Sequence, residues 1–363
     1  MNEFLMMFKK LIVKLVCLFI PSSRARKDFR HKFLLEEHVT PTTKSKYYGK
    51  IYMPYYPNCE FTKDLPNIYN KDGRPMELFF IRDKIGAHCP YIDSSKYFLW
   101  DRFNIGLDTH FYTHGTILET MGNPKHRYGY FIESESIIPR EYAIFEKHKG
   151  IEKDFDAIFT YSEKLLDTLD NAKFFPSCAS MWYGKEIFNG KKDSTKLDSK
   201  IYLSKTKNIS MICSAQYTTE MHRFRHAVAN SALATGKVDL FGGFRIGGCF
   251  DYKSKTLKDY RFQIVVENDI KPYYFTEKII DCFASMTIPV YIGATKIDDF
   301  FDANGIIKFS KKDDIEKIIT QCTPQEYEFR LKAVIENYNR CLKFANINDL
   351  LYEEYFQKEV ANV

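Results

Sequence analysis

The feature that most constrains the fold is a regular alternation of strand-like and helix-like segments between residues 206 and 345. Its clearest part is residues 260–293, where a β-branched apolar run, an apolar-faced helix and a second apolar run follow one another. Strands that alternate with helices of this length pack as a parallel sheet with crossover helices. The C-terminal half is therefore predicted to form an α/β domain with a Rossmann-like sheet.

The hydrophobic pattern also places the individual elements. In the C-terminal half we predict strands at 208–213, 238–241, 262–266 and 288–292 and helices at 220–234 and 277–285. The N-terminal half has strand-like runs at 76–81, 128–132 and 157–160. Residues 326–359 are predicted to form one long helical tail.

A chain of 363 residues is too long for one ordinary core and suits two domains. We predict the following divisions: a basic amphipathic helix at 1–35, an N-terminal α/β domain at 40–185, a polar linker at 186–205, a C-terminal α/β domain at 206–345 and a helical tail at 346–363.

Charge and cysteine content argue against a nucleic-acid-binding protein and against a zinc-binding or disulfide-rich one. The net charge is +6, and residues 1–32 carry all of this excess, with eight basic and two acidic side chains. The rest of the chain is neutral and offers no bias towards a nucleic-acid-binding face. Nine cysteines are scattered without a Cys-x-x-Cys pair, so neither a zinc site nor a disulfide framework is predicted and a reducing compartment is favoured.

The N-terminal helix has an apolar face beside a basic one. The apolar face consists of Phe4, Phe8, Leu11, Leu15 and Leu18. Its longest apolar run, 15–20, is too short to span a bilayer. Residues 4–32 are therefore predicted to dock on an anionic membrane surface, and a peripheral location on the cytoplasmic face, typically of a bacterial inner membrane, follows. The alternative is a helix that packs on the protein's own core.

Polar residues follow the strand 262–266 directly, in the order Glu267, Asn268 and Asp269. In an open parallel sheet, ligands bind at the carboxyl ends of strands, although Asn-Asp also makes ordinary turns. Thr276 is a predicted helix N-cap, and Lys278 in the first turn opposes the helix dipole. A bound phosphate would reverse that penalty, and a solvent-directed lysine is the alternative.

Two other segments carry candidate chemistry. Gly242 and Gly243 precede Arg245, whose guanidinium could clamp a diphosphate. Glu133 and Glu135 follow the strand at 128–132, where a carboxylate could act as a general base, although exposed acidic turns are common. Asp154 and Asp156 lie just before a predicted strand and are interpreted as a solvated turn. His110 and His114 lack a third ligand nearby, and we predict no metal site.

Taken together, these residues resemble the α-1,3-fucosyltransferases of glycosyltransferase family ten. The resemblance is carried by three segments with the family's spacing: Val266-Glu267-Asn268-Asp269, Tyr274-Phe275-Thr276-Glu277-Lys278 and Pro289-Val290-Tyr291-Ile292-Gly293. Looser similarities occur at 214–225, at Gly242 to Arg245 and at 132–134. The family pattern has Phe at the position of Val266, Ser or Thr at that of Asp269 and Val at that of Phe275.

The resemblance implies a GT-B fold, in which two Rossmann-like domains flank a cleft. It further implies inverting transfer of L-fucose from GDP-β-L-fucose to a hydroxyl of a glycan acceptor, without a metal or a tightly bound cofactor. Glu133 is the implied catalytic base. The implied donor-binding residues are Arg225, Arg245, Glu267, Asn268, Tyr274, Thr276, Glu277 and Lys278.

Two other functions are compatible with the sequence. The same fold could use another nucleotide-sugar donor, since Asp269 and Phe275 depart from the family pattern. A non-catalytic peripheral carbohydrate-binding protein would also suit a chain with 16% aromatic residues.

Overall fold

The structure is a computed structural model, and it describes residues 11–13, 15–16, 18–20, 77–82, 95–101, 105–177, 179–185, 193–244 and 250–357. Within these ranges the chain forms two β sheets, and seven of the strand pairings in these sheets are parallel. The predicted fold class, α/β with two Rossmann-like sheets, is confirmed.

The first sheet has six strands in the order β2-β1-β3-β4-β5-β6. Their bounds are β1 Glu77–Arg82, β2 Phe98–Asp101, β3 Thr109–Thr113, β4 His126–Phe131, β5 Ala157–Thr160 and β6 Ala172–Phe174. The α-helices that follow β4 and β5 are short: α1 Pro139–Tyr142, α2 Ile144–Lys147 and α3 Glu163–Thr168. In this N-terminal half, the alternation of strand-like and helix-like segments in the sequence is less clear than in the C-terminal half.

The second sheet has five strands in the order β11-β10-β9-β7-β8. Its strands are β7 Lys207–Ile212, β8 Val238–Phe241, β9 Tyr260–Val266, β10 Ile288–Ile292 and β11 Ile307–Lys308. Its helices are α4 Glu220–Ala234, α5 Glu277–Ala284, α6 Ile315–Gln321 and α7 Pro324–Cys341. Strand β9 lies between β10 and β7 and is almost wholly buried, so its carboxyl end is central in the sheet.

The elements predicted for this half are confirmed, with bounds that agree within about two residues. The predicted tail helix at 326–359 is wrong as a single element. It is α7, a 3-10 turn at Leu342–Phe344 and then α8 Ile347–Tyr355. The break arises because the Asn346 side chain accepts hydrogen bonds from the backbone N–H groups of Asn348 and Asp349, which caps a new helix.

Contacts divide the chain into two compact units, which we call unit 1 (residues 1–86 and 98–129) and unit 2 (residues 87–97 and 130–363). Within unit 2, α8 contacts distant parts of the chain. The Ser95 hydroxyl donates to Asp349 over 2.8 Å, and the rings of Tyr97 and Tyr352 stack at 4.6 Å. The bounds of units 1 and 2 do not coincide with the predicted domain boundaries at residues 185 and 206. The predicted domain boundaries stay a prediction.

Of the predicted N-terminal helix, residues 11–13, 15–16 and 18 are described and are helical. Leu11, Leu15 and Leu18 are exposed by 54%, 51% and 76%, whereas Val13 is buried. Residues 19–20 are also described, whereas residues 1–10, 14, 17 and 21–35, and Arg245, lie outside the described residues. In the described ranges, none of the helices has the length and apolar character that a membrane crossing requires.

Candidate donor and base site

The carboxyl end of β9 is built around Glu267, whose side chain has no exposed surface. Its carboxylate accepts hydrogen bonds from the Thr276 backbone N–H at 2.9 Å and from the Thr276 hydroxyl at 2.9 and 3.0 Å. Gly293 allows this packing, because a Cβ there would lie 2.5 Å from Glu267 Cγ. Glu267 therefore holds the start of α5 in place.

Thr276 is the N-cap of α5, as predicted, and its hydroxyl accepts from the Lys278 backbone N–H. The same hydroxyl lies 2.8 Å from Lys278 Nζ. Lys278 also pairs with Glu267 at 3.3 Å and Glu277 at 3.5 Å, while a quarter of its side chain stays exposed. Lys278 is thus ion-paired as well as partly exposed. Its two carboxylate partners offset the unfavourable interaction of a cation with the amino end of the helix dipole.

Burial alone would lower the pKa of Lys278, but the Glu267 and Glu277 carboxylates outweigh it and raise the pKa well above its ordinary value. Burial likewise opposes ionisation of Glu277, yet Lys278 and Lys253 lower its pKa to about 2. Both groups are therefore charged at neutral pH. The ammonium of Lys278 therefore keeps its charge in the first turn of α5.

Lys253 extends this arrangement inward. Its ammonium lies 2.7 Å from Asp281 Oδ2 and 3.6 Å from Glu277, and Asp281 is completely buried. The other oxygen of Asp281 accepts from the backbone N–H groups of Trp182 and Tyr183 at 2.7 and 2.8 Å. The result is a line of alternating charges from Asp281 through Lys253, Glu277 and Lys278 to Glu267.

Helix α4 supplies a second set of contacts to the end of β9. The buried Arg225 guanidinium donates to the Val266 carbonyl at 2.6 and 3.0 Å and to Asn268 Oδ1 at 2.7 Å. His222, one turn earlier, forms a capping box with Thr219. Burial and the nearby Arg225 and Lys278 lower the pKa of His222 to about 4, so its ring is neutral at pH 7.

The candidate base Glu133 lies two residues beyond β4, within unit 2, and is half-buried. Its carboxylate accepts from the Ser134 backbone N–H at 2.8 Å and hydrogen-bonds with Tyr274. Burial raises the pKa of Glu133, while the Ser134 N–H and the Lys278 charge oppose the increase. The structure therefore brings the candidate base beside Tyr274 and Lys278 of the candidate donor site.

Buried tyrosines fix the backbone under Glu133. The hydroxyls of Tyr142 and Tyr161 donate to the Glu133 carbonyl at 3.0 and 3.3 Å, and the Tyr161 ring contacts Tyr274 at 5.1 Å between centroids. Glu135, the other candidate, instead pairs with Lys271 at 3.4 Å on a more exposed face. The geometry favours Glu133 as the base.

Two of the departures from the family pattern, Asp269 and Phe275, have different surroundings. Phe275 is buried in an aromatic cluster, with ring centroids 4.9 Å from Phe300 and 5.6 Å from Phe344, and it serves the core. Asp269 accepts hydrogen bonds from Ser134 and Ser136, which follow the candidate base. Of the two, only Asp269 contacts the segment that carries Glu133.

The structure brings together eight of the nine residues named from the sequence, namely Glu133, Arg225, Glu267, Asn268, Tyr274, Thr276, Glu277 and Lys278. Arg245 lies outside the described residues. Sequence reasoning missed Lys253, Asp281 and His222. The i+4 spacing of Glu277 and Asp281 on one helix face was a signal for a shared cation.

Across the described part of the chain, no group of three His, Cys, Asp or Glu side chains is arranged to hold a metal ion. His110 and His114 are buried in unit 1, and burial lowers their pKa values to about 4 and about 3. The His110 ring bonds to the Tyr112 hydroxyl at 2.9 Å.

The site thus places a candidate base beside a cation at the end of a parallel strand, and residues 202–326 match the family model described as "Glycosyltransferase family 10 (fucosyltransferase) C-term". The predicted resemblance to this family is confirmed over these residues, and the chain is a glycosyltransferase. The chain has no match among curated proteins.

Three solved structures show weaker similarity. A crystal structure of α1,3-fucosyltransferase with GDP-fucose is 17% identical, with a TM-score of 0.45 over 74% of this chain and 89% of that chain. Sucrose-phosphate synthase from Thermosynechococcus elongatus is 10% identical, with a TM-score of 0.44 over 72% and 75%. An apo structure of OtsA is 9% identical, with a TM-score of 0.47 over 71% and 73%. The family assignment rests on the family match and the motif residues.

Proposed function

We propose that this protein is an inverting fucosyltransferase that transfers L-fucose from GDP-β-L-fucose to a hydroxyl of a glycan, with an α-1,3 linkage on a cell-surface or lipopolysaccharide-type acceptor. The observation that carries the proposal is the meeting of Glu133 with Tyr274 and Lys278, both of which lie within the family-matching residues 202–326. A base on one side and a cation on the other are what an in-line displacement at a sugar carbon requires.

In this mechanism Glu133 accepts the proton of the acceptor hydroxyl as its oxygen attacks the anomeric carbon of fucose. The bond from that carbon to the β-phosphate oxygen breaks, and its electron pair leaves with GDP. Lys278 and the amino end of α5 stabilise the charge on the departing diphosphate. Glu267, Thr276 and Glu277 hold Lys278, and Arg225 holds Asn268 and the end of β9.

A titration of the purified chain with nucleotides tests the donor. GDP and GDP-fucose are expected to raise the melting temperature in a saturable way, whereas UDP-glucose and UDP-galactose are expected to leave it unchanged, because a ligand that binds only the folded state stabilises it. GDP-mannose serves as the matched control for the sugar.

A response to a UDP sugar alone would contradict the proposed donor and favour the second candidate, the same fold with another nucleotide sugar. The observation behind that candidate is Asp269, whose carboxylate stands where the family pattern has a hydroxyl. No response to any nucleotide would instead favour a non-catalytic carbohydrate-binding protein.

We further propose that residues 4–32 dock the enzyme peripherally on the anionic cytoplasmic face of a membrane. The support is the basic excess in residues 1–32 together with the exposed Leu11, Leu15 and Leu18. Each basic residue near such a surface contributes about 1 kcal/mol, and the apolar face adds burial in the interface.

Co-sedimentation with vesicles tests this docking. We expect the chain to pellet with vesicles that contain about 30% phosphatidylglycerol, which resemble an anionic membrane leaflet. The variant Leu11→Glu/Leu15→Glu/Leu18→Glu should stay in the supernatant. The control is Leu203→Glu, an exposed leucine in unit 2, which should pellet like the wild type. Equal pelleting of the triple variant would contradict the docking.

A further inference from the structure

Two loops of unit 2 are joined by side chains that the mechanism above does not use. The Ser134 hydroxyl donates to Asp269 Oδ2 at 3.1 Å, and the Ser136 backbone N–H reaches the same oxygen at 3.3 Å. The Ser136 hydroxyl donates to the Asn268 carbonyl at 3.1 Å. We call these three hydrogen bonds the serine latch.

The latch joins the two sides of the candidate site. One side is the residue directly after Glu133, whose backbone N–H is itself bonded to the Glu133 carboxylate at 2.8 Å. The other side is the end of β9, where Asn268 is held by Arg225 at 2.7 Å. A shift of the latch would therefore move the base relative to the groups that hold the donor.

Ser134, at the centre of the latch, is buried, and Asp269 is held by several donors. Ser134 has no exposed surface, and its hydroxyl also lies 2.7 Å from that of Ser136. The second oxygen of Asp269 accepts from the Ile270 N–H at 2.9 Å, which fixes the carboxylate. Asp269 thus accepts three hydrogen bonds through two oxygens, more than the single oxygen of a serine or threonine can accept at that position while donating its own proton.

We propose that Asp269 is a positioning residue that sets the place of the base Glu133 against the donor-binding end of β9. The inference rests on the proposed function, since it assigns Asp269 a role in that reaction. This role also explains why a carboxylate can lie near a diphosphate site. The Asp269 carboxylate accepts hydrogen bonds from Ser134, Ser136 and Ile270, and two of these donors belong to the loop that carries Glu133.

The test is Asp269→Ala in the full chain, with GDP release from GDP-fucose as the assay. The acceptor is the purified mono- or disaccharide that gives the wild type its highest turnover in a panel. We expect kcat to fall about 10- to 100-fold, because misplacement of a reacting group by about 1 Å costs that much. The KM for GDP-fucose should change by less than about threefold, because the contacts of Lys278 are kept.

Two further readouts separate positioning from a merely structural effect. Release of the latch lets water reach Glu133, so its raised pKa should fall and the acidic limb of kcat/KM should move to lower pH. In a Glu133→Gln background, Asp269→Ala should cause no further loss, because there is no base left to position. Asp269→Asn keeps one acceptor oxygen for the Ile270 N–H but presents an amide NH2 to the Ser134 and Ser136 donors, so its kcat should lie between those of Asp269→Ala and the wild type.

The matched control is Asp298→Ala, an exposed carboxylate of unit 2 that pairs with Lys308, and it should behave as the wild type. Full activity of Asp269→Ala beside an inactive Glu133→Gln would overturn this inference and leave the proposed function standing. Absence of GDP release by the wild type would overturn both. If Asp269→Ala does not fold, Asp269→Asn and Ser136→Ala carry the same comparison, and additive losses with Glu133→Gln contradict the inference.

Discussion

Glu133→Gln is expected to lower kcat for fucose transfer by about 10²- to 10⁴-fold while GDP affinity stays within about twofold of the wild type. Glutamine keeps the size of the side chain and can still accept from the Ser134 N–H, but it cannot take a proton from the acceptor hydroxyl. The loss therefore falls on the chemical step. Turnover and calorimetric GDP binding measure the two parts separately.

The pH profile gives an independent check on the same residue. Burial raises the pKa of Glu133 above 4.5, and the group acts as a base only when it is ionised. The acidic limb of kcat/KM should therefore lie above pH 4.5 and should be absent from the residual activity of Glu133→Gln.

Glu135→Gln is the matched control, since Glu135 lies in the same loop but pairs with Lys271. It should retain transfer activity. The reverse pattern, an inactive Glu135→Gln beside an active Glu133→Gln, would show that Glu135 is the base and that our assignment is wrong.

Lys278→Ala is expected to weaken GDP binding by about 10- to 100-fold, the loss of one charge-assisted contact to phosphate. It should also destabilise the fold by about 2 to 3 kcal/mol. Removal of one partner from a fully buried pair costs about 3 to 5 kcal/mol, and the quarter of Lys278 that is exposed reduces this value. Calorimetry with GDP and urea unfolding measure the two effects.

The stability effect has a predictable pH dependence. Because the pKa of Glu277 is lowered to about 2 in the folded chain, this carboxylate contributes stability that is fully present above pH 4.5 and is lost as pH falls towards 2. In Lys278→Ala the pKa of Glu277 should rise, so the variant should lose less stability over that interval than the wild type.

Lys308→Ala removes a lysine from an exposed pair with Asp298 and is the matched control. It should change stability by less than about 1 kcal/mol and leave GDP affinity unaltered. Lys278→Arg should keep part of both properties. Unaltered GDP affinity in Lys278→Ala would remove Lys278 from the donor site.

Much of the second sheet could be predicted because its elements carry strong local signals. Strands β8 and β10 and helix α4 have the predicted bounds, and the N-cap at Thr276 was evident from residue type. These features depend on hydrophobic period and on capping chemistry, both of which act over a few neighbouring residues.

The contacts that organise the site could not be predicted in the same way, because their partners are distant in sequence. Lys253 and Asp281 are separated by 28 positions, and Ser134 and Asp269 by 135. The sequence indicated that a cation at position 278 was unfavourable, but only the fold shows that Glu267 and Glu277 compensate it. The break before Ile347 was missed because an Asn cap was outweighed by the helical pattern on either side.

The contact of α8 with the segment around Ser95 has a consequence for how the protein is made. Ser95 and Asp349 are 254 positions apart, and both belong to unit 2. Contacts of such long sequence separation form late, because the intervening chain must first be ordered. A ribosome releases residue 95 long before residue 349, so this contact cannot form during most of translation. The larger unit therefore gains this contact only after α8 has been synthesised.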